Sequence, residues 1–276
     1  MTNKKNKVLC STGALIGKIN ERNHKLIIEN APNINCDGFE LMMYSTMWME
    51  KIDEIVNDLA ESKINFLAMH MNKNIGELIS QNEDGDIEQA IKIHEANCKI
   101  ASDLGINLLV LHLWGGPPSD KHMDVNFGLY KDLLDISNKY GLFLTVENIV
   151  CNTYNSLIHM KKLYEMFPND INFTIDTRQA EFQKLLDETC SSDFLWENNL
   201  VSHIHISDYA GGYMDWANLR PVLSPGMGNI DFDKFFNFLK SVNYDKMITL
   251  ESPVMTENSI DIEKLNKSLA FIYDRI

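Results

Sequence analysis

Short apolar runs alternate with longer amphipathic segments along the whole chain. The short runs are rich in β-branched, aromatic and other apolar residues, which is typical of strands buried on both faces of a parallel sheet. Eight such runs predict eight strands: Val8–Ser11, Gly38–Met42, Phe66–His70, Leu108–Leu113, Leu142–Glu147, Asn172–Asp176, His203–Ser207 and Met247–Glu251.

The longer segments between these runs predict helices, because their apolar residues recur at spacings of three and four. In Trp48–Ser62, for example, Ile52, Ile55 and Leu59 share one face. The other predicted helices are Ile87–Leu104, Phe127–Tyr140, Tyr154–Met166, Phe232–Val242 and Ile260–Ile276. The crossover at Lys18–Asn30 is weakly patterned, and Phe182–Asn198 is predicted to be broken into pieces.

Eight alternations of strand and helix predict a closed (β/α)₈ barrel. No Pro/Gly-rich linker or block of like charge divides the sequence, so we expect one domain over residues 1–276. An open, doubly wound sheet is the alternative. It usually carries a GxGxxG turn after its first strand, and the corresponding segment here reads CSTGALIG.

Charge and cysteine content indicate which molecules the protein is expected to bind and in which compartment it is expected to occur. With 25 basic and 39 acidic residues, the formal net charge is −14. Such a surface repels phosphate backbones and anionic membranes, so we expect a small-molecule substrate rather than nucleic acid or membrane. The five cysteines are scattered without a CxxC pair, which indicates reduced thiols in a cytoplasm.

Acids and histidines stand at the ends of seven of the predicted strands. These residues are Glu40, His70, His112, Glu147, Asp176, His205 and Glu251. An ionisable group buried at a strand end is costly unless it is paired or bound to a metal. In a barrel all these ends converge on one mouth, where the active site of this architecture lies.

Four of these side chains are predicted to bind one divalent metal ion. Three carboxylates and one imidazole suit Mn²⁺, Mg²⁺, Co²⁺ or Zn²⁺ better than a thiolate site would. The predicted ligands are Glu147, Asp176, His205 and Glu251, and the alternative is a set of structural ion pairs. His203 and His205 point to the same face of their strand, so one can ligate while the other lies one layer deeper and donates a hydrogen bond.

Other residues allow two interpretations each. His70 and His112 are second-metal ligands, substrate contacts or core histidines, and Trp114 either stacks on a sugar or packs its loop. The turn Pro225–Gly228 either offers free N–H groups to a phosphate or simply starts the following helix. We expect four further histidines to face solvent: His24, His94, His122 and His159.

Taken in order, these residues resemble the xylose-isomerase-like barrel superfamily of sugar phosphate isomerases and epimerases. That group includes ketose 3-epimerases, hydroxypyruvate isomerase, inosose dehydratase and the endonuclease-four repair enzymes. The likeness covers nearly the whole chain. Its markers are Asp37–Glu40, Met69–His70, Leu111–His112, Val146–Asn148, Ile175–Thr177, His203–Asp208, Pro225–Phe232 and Leu250–Ser252.

The resemblance implies the same four metal ligands and makes Glu147 and Glu251 the catalytic acid/base pair. Two departures stand out, since Gln179 and Val222 occupy positions where many members carry a histidine, or at the second position a histidine or arginine. The repair endonucleases use both as zinc ligands, so phosphodiester cleavage is disfavoured. The predicted substrate-binding set is Glu40, His70, His112, Trp114, Arg178, Gln179, His203 and Arg220.

The leading functional hypothesis is metal-assisted proton transfer beside the carbonyl of a sugar or sugar phosphate, through an enediolate that the metal stabilises. Moving the proton to another carbon gives an isomerase, and returning it to the opposite face gives an epimerase. Expelling a β-hydroxyl gives a dehydratase of the inosose type. A repair-type phosphodiesterase and a non-catalytic sugar-binding barrel are the competing classes, and by analogy with the family the protein is expected to form homo-oligomers.

Overall fold

In a computed structural model, which describes residues 6–44, 48–116, 119–151, 154–257 and 259–276, eight strands form a closed parallel barrel in chain order. This confirms the predicted (β/α)₈ barrel. The strands are β1 (Lys7–Ser11), β2 (Gly38–Met42), β3 (Phe66–His70), β4 (Leu108–Leu111), β5 (Phe143–Glu147), β6 (Phe173–Asp176), β7 (Val201–Ile206) and β8 (Met247–Leu250).

Helices follow the strands. They are α1 (Lys25–Asn30), α2 (Ile52–Glu61), α3 (Asn74–Gln81), α4 (Asp86–Asp103), α5 (Ser119–Lys139), α6 (Ser156–Met166), α7 (Thr177–Phe182), α8 (Leu186–Cys190), α9 (Asp193–Trp196), α10 (Trp216–Leu219), α11 (Phe232–Ser241) and α12 (Ile262–Tyr273). As predicted, the crossover before β7 is broken into pieces. Among the described residues, no helix is long and apolar enough to cross a membrane.

Two helical segments differ from the prediction. Helix α5 begins at Ser119 rather than Phe127, and its backbone is non-helical at His122 (φ −129°, ψ 26°). Helix α3 was not predicted, because it is short and contains Gly76. A Cβ atom at Gly76 would collide with the backbone of His112 and Trp114, so the glycine permits a close approach that the sequence pattern does not reveal.

The contacts of the chain group into two compact units. The terminal unit comprises Met1–Glu40, Ser62–Asn65 and Ile175–Ile276, and the central unit comprises Leu41–Glu61 and Phe66–Thr174. In the terminal unit β8 pairs in parallel with both β1 and β7. In the central unit β4 pairs in parallel with both β3 and β5.

Three of the four histidines predicted to face solvent are buried instead. His24, His94 and His159 are 8%, 0% and 5% exposed, whereas His122 is half-buried. His94 shows the reason, because its Nε2 lies 2.9 Å from the carbonyl oxygen of Leu133 and 3.0 Å from the Ser137 hydroxyl on α5. A partner on another helix compensates the cost of burying the ring, and single-helix periodicity does not show such partners.

Burial of His94 predicts a pH-dependent loss of stability. Burial lowers the pKa of His94 from 6.5 to about 4, although the hydrogen bond to Leu133 opposes this. As the pH falls through this range, the unfolded chain takes up a proton that the folded chain does not. The stability contribution is therefore complete above pH 6.5 and is lost progressively towards pH 4, by about 3 kcal/mol at most.

Urea unfolding at several pH values tests this expectation. His94→Gln should flatten the fall in unfolding free energy below neutral pH, whereas Lys99→Gln, on the exposed face of the same helix, should leave it unchanged. Equal pH dependence in the wild type and His94→Gln would contradict the assignment.

Candidate metal centre

The terminal unit brings together three of the four predicted metal ligands. Asp176 ends β6, His205 lies on β7 and Glu251 follows β8. Each offers one ligand atom, and these atoms lie within 4.8 Å of one another. Asp176 and His205 are 1% and 0% exposed, and the Glu251 side chain is 12% exposed. The three donors thus converge in an environment that is largely shielded from solvent.

The two ring nitrogens of His205 face different carboxylates. Nε2 lies 3.1 Å from Oε2 of Glu40, and Nδ1 lies 3.5 Å from Oε1 of Glu251. A proton on Nε2 that is donated to Glu40 leaves the lone pair of Nδ1 directed towards Glu251. Metal-binding histidines characteristically donate their second N–H to a carboxylate in this way. With the proton on Nε2, His205 has the orientation and the supporting carboxylate that a metal ligand needs.

A second polar layer lies beneath His205. Oε2 of Glu40 is 2.7 Å from Nε2 of His203 and accepts a hydrogen bond from the Thr249 hydroxyl at 3.0 Å. The Thr249 hydroxyl also lies 2.9 Å from Nε2 of His203. His203 and Thr249 each precede a predicted ligand by two residues on the same strand, so they point to the same side. Because side chains alternate along a strand, the residues that support the predicted ligands lie in the layer directly beneath them.

This layer changes the interpretation of two predicted substrate contacts. Glu40 and His203 are both fully buried. They hold each other and His205, which matches the expectation that one of the two strand histidines lies deeper and donates a hydrogen bond. The structure therefore gives Glu40 and His203 a supporting position rather than a substrate-facing one.

The charges in this layer follow from burial and hydrogen bonding. Burial alone would raise the pKa of Glu40, but the charge of His205 and the hydrogen bonds from His203 and His205 together hold that pKa below its ordinary value. Burial lowers the pKa of His203, although its hydrogen bond to Glu40 opposes this. An anionic Glu40 is the kind of hydrogen-bond acceptor that supports an imidazole as a metal ligand.

Asp176 is oriented by the helix that follows it. Its Oδ1 accepts the backbone N–H of Gln179 at 2.8 Å, which caps the N-terminus of α7. The guanidinium of Arg178 lies 3.9 Å from Oδ2 and also donates to the carbonyl of Leu219 at 2.9 Å. One carboxylate oxygen is thereby fixed by the fold, so the other has a defined direction.

The donor set of the terminal unit fits a divalent cation. Two carboxylate oxygens within 4.8 Å of each other repel when both are ionised in a buried site. A cation between them and the neutral Nδ1 of His205 removes that repulsion. Oxygen donors with one imidazole are the ligands expected for Mn²⁺, Mg²⁺, Co²⁺ or Zn²⁺.

The central unit holds the fourth predicted ligand, Glu147, beside two histidines. Oε2 of Glu147, at the end of β5, lies 2.6 Å from Nε2 of His112 and 3.3 Å from Nε2 of His70. His70 donates from Nδ1 to the carbonyl of Met71 at 2.9 Å. Burial lowers the pKa of His112 to about 3, although the charge of Glu147 opposes this, so the ring is neutral and donates to the carboxylate. One oxygen of Glu147 is thus positioned by the histidine pair.

The remaining predicted substrate-binding residues fall in different surroundings. Arg220 is exposed, Gln179 is half-buried, and the Arg178 side chain is 13% exposed. Trp114 is fully buried, and its indole N–H donates to the carbonyl of Ile149 at 2.9 Å. That bond and its full burial favour the packing interpretation of Trp114 over sugar stacking.

The turn Pro225–Gly228 does not offer free N–H groups to a phosphate. The N–H groups of Gly226 and Gly228 donate to Oδ2 of the buried Asp208 at 2.9 and 2.8 Å. Oδ1 of Asp208 accepts from Tyr209 and Ile230 at 2.8 and 3.2 Å. The tight-turn interpretation is therefore the correct one, and the carboxylate of Asp208 occupies the place of the anion.

The sequence pattern does not reveal the contribution of Thr249. A threonine inside an apolar strand carries no signal of its own, because this residue type is common in strands. Its position two residues before Glu251 on β8 was the available clue, since His203 has the same offset from His205. Partners of buried ligands are thus best sought at that spacing.

A family model described as a xylose isomerase-like TIM barrel matches residues 28–275. An uncharacterized protein of Methanocaldococcus jannaschii, MJ1614, is 26% identical over 140 residues, which cover 50% of this chain. The matched region spans about half, 51%, of the length of that relative.

Several solved structures share the fold. A D-allulose 3-epimerase from Methylomonas sp., in complex with D-allulose, superposes with a TM-score of 0.73 at 15% identity over 99% of this chain and 98% of that one. The 3-keto-D-glucoside 4-epimerase of E. coli gives 0.68 at 17% identity over 98% and 100%. The IOLI protein, solved with a bound zinc atom, gives 0.72 at 15% over 98% and 99%.

Removing the charge of Glu40 should weaken metal binding without removing a predicted ligand. Glu40→Gln replaces the anion that accepts the N–H of His205, and loss of such a partner typically costs about 10–100-fold in metal affinity. Competition between the protein and a chelator for Mn²⁺ or Zn²⁺ measures the change. The control is Glu263→Gln, which removes an exposed carboxylate paired with Lys267. Equal affinities in Glu40→Gln and the control would refute the supporting role.

Proposed function

Because the chain belongs to the xylose isomerase-like TIM barrel family, we propose that it is a divalent-metal-dependent isomerase or epimerase of sugars or sugar phosphates. The observation that carries this proposal is the convergence of Asp176, His205 and Glu251 above a buried carboxylate that orients the imidazole. Purely structural ion pairs do not need two acids side by side with the imidazole directed between them.

We propose Glu147 as the fourth ligand. In the register between β5 and β6, Glu147 pairs with Thr174, and Asp176 ends β6 two residues later. The carboxyl ends of neighbouring parallel strands lie at the same end of a barrel, where active sites of this architecture are built. The bond from His112 orients Glu147 in the manner of a partner that supports a metal ligand.

When bound, the metal ion supplies Lewis-acid polarisation of a substrate carbonyl. The donor set suits Mn²⁺, Mg²⁺, Co²⁺ or Zn²⁺. The zinc atom in the IOLI structure is a property of that protein, and it supports the choice of a divalent ion here.

Glu147 and Glu251 are proposed as the acid/base pair. One carboxylate takes the proton from the carbon beside the carbonyl, and the other delivers a proton to the opposite face or to the adjacent carbon. Two groups are needed because removal and return occur in one turnover. The Glu251 side chain keeps 12% of its surface exposed, so it can reach a substrate, while His112 holds one oxygen of Glu147 in place.

Substrate contacts are assigned to side chains with unused polar atoms. Oε1 of Gln179 and Nε of Arg178 have no hydrogen-bond partner within the described part of the chain, so both suit sugar hydroxyl or phosphate oxygens. Arg220 is exposed and directly follows Leu219, whose carbonyl accepts a hydrogen bond from Arg178, so it can add a positive charge. His70 and His112 complete the proposed set. The D-allulose bound to the Methylomonas sp. enzyme supports a small sugar as the ligand class.

Three wider assignments accompany this function. We propose that residues 1–276 act as one domain, that the protein works in the cytoplasm, and that it binds small molecules rather than nucleic acid. None of the five cysteines, all of which lie among the described residues, forms a disulfide, which agrees with a reducing compartment. The negative net charge supports the exclusion of nucleic acid.

Solvent isotope exchange tests the proposed chemistry. The metal-loaded protein is incubated with ketoses, their phosphates and inososes in deuterated water. We expect deuterium to enter a carbon beside the carbonyl of one substrate. Loss of water from that substrate would assign a dehydratase instead, and no exchange with any candidate would contradict proton transfer.

Variants of the two glutamates separate their roles. Glu147→Gln and Glu251→Gln should each lower turnover by about 10²–10⁴-fold, because each removes a proton-transfer group. If one variant still exchanges deuterium but no longer converts the sugar, the glutamate that it retains is the base that removes the proton. The exposed Glu263→Gln serves as the control. Unchanged turnover in Glu147→Gln would argue against an acid/base role for Glu147.

A further inference from the structure

A second group of side chains that could hold a metal ion lies in the central unit, and none of its members belongs to the candidate metal centre. Asp120, Cys151 and His159 each offer one ligand atom, and these atoms lie within 4.8 Å of one another. Asp120 is in the first turn of α5, Cys151 is in the segment after β5, and His159 is in α6. Three separate segments therefore bring three different donors to one point.

His159 is the most informative member of this group. It is only 5% exposed, yet neither ring nitrogen has a hydrogen-bond partner among the described residues. Its ring centroid lies 5.7 Å from the rings of both Trp114 and Phe127. Burying a polar group without a partner is unfavourable, because the group loses its hydrogen bonds to water. A ligand on one of these nitrogens would remove that cost.

We propose that Asp120, Cys151 and His159 bind one Zn²⁺ ion. A thiolate, an imidazole and a carboxylate are the three donor types that zinc accepts, and a tetrahedral ion would take a water molecule as its fourth ligand. On binding, the S–H bond of Cys151 breaks, a sulfur–zinc bond forms, and the proton leaves to solvent. No redox step is involved.

The protonation states favour a cation over a reactive thiol. Burial lowers the pKa of His159 to about 4, so its ring is neutral and keeps a lone pair at neutral pH. Burial raises the pKa of the Cys151 thiol, and the charge of Asp120 raises it further. A nucleophilic cysteine needs a lowered pKa. In this environment the thiolate form of Cys151 becomes favourable only when a cation binds.

Zinc at this position would connect the segment after β5 to α5 and α6. Cys151 stands four residues after Glu147 in the sequence, so the ion would restrain the chain that leaves the proposed catalytic strand end. The thiolate donor also distinguishes this site from the candidate metal centre by its ligand chemistry. The carboxylate and imidazole donors of the first centre include no sulfur, so this inference does not depend on the proposed function.

Titration of the chelator-stripped full chain with Co²⁺ tests the second site. Cobalt bound by a thiolate gives a sulfur-to-metal charge-transfer band in the near ultraviolet, whereas oxygen and nitrogen ligands do not. We expect one equivalent of Co²⁺ to produce this band and Zn²⁺ to displace it. Cys151→Ser and His159→Gln should each lose the band at stoichiometric Co²⁺.

The matched control is Cys98→Ser. Cys98 is also buried in the central unit, but its sulfur lies 3.7 Å from the Ser137 hydroxyl and belongs to no candidate metal group among the described residues. This variant should keep the band. A wild-type protein without the band, or a band that persists in folded Cys151→Ser, would overturn the proposal. If Cys151→Ser does not fold, a band that persists in His159→Gln would have the same meaning.

Discussion

The buried carboxylate of Glu40 is the group on which the candidate metal centre depends. It accepts hydrogen bonds from His203, His205 and Thr249 without any exposure to water. A buried anion is tolerated only when several donors satisfy it. With Nε2 of His205 turned towards Glu40, its Nδ1 faces Glu251. The geometry of the candidate metal centre is therefore set one layer below the predicted ligands.

The parallel barrel turns this local interaction into a layered site. Side chains two residues apart on a strand point to the same side, so a ligand at a strand end has its support two residues earlier. His203 and Thr249 stand in that relation to His205 and Glu251. Thr145 and Thr174 precede Glu147 and Asp176 by the same interval, and their hydroxyls lie 2.7 Å apart. The same spacing along the strands thus places both the predicted ligands and the polar layer beneath them.

The two glutamates proposed for proton transfer have different surroundings. Glu147 is 2% exposed and accepts a hydrogen bond from His112. Glu251 is more open and has the imidazole of His205 beside one oxygen. Different environments around two like groups are one way in which a pair of carboxylates takes opposite roles in one turnover.

The sequence by itself determined the barrel, the positions of all eight strands and the identity of the acids and histidines at their ends. These follow from local periodicity and from the high free-energy cost of burying charge, and both can be inferred from a single sequence. Only the tertiary structure decided that His94 and His159 are buried, that Asp208 fills the turn at Gly226, and that Gly76 allows α3 to approach the backbone of His112. Each of these depends on a partner distant in sequence, and hydrogen bonds or close approaches across such distances leave no periodic signal.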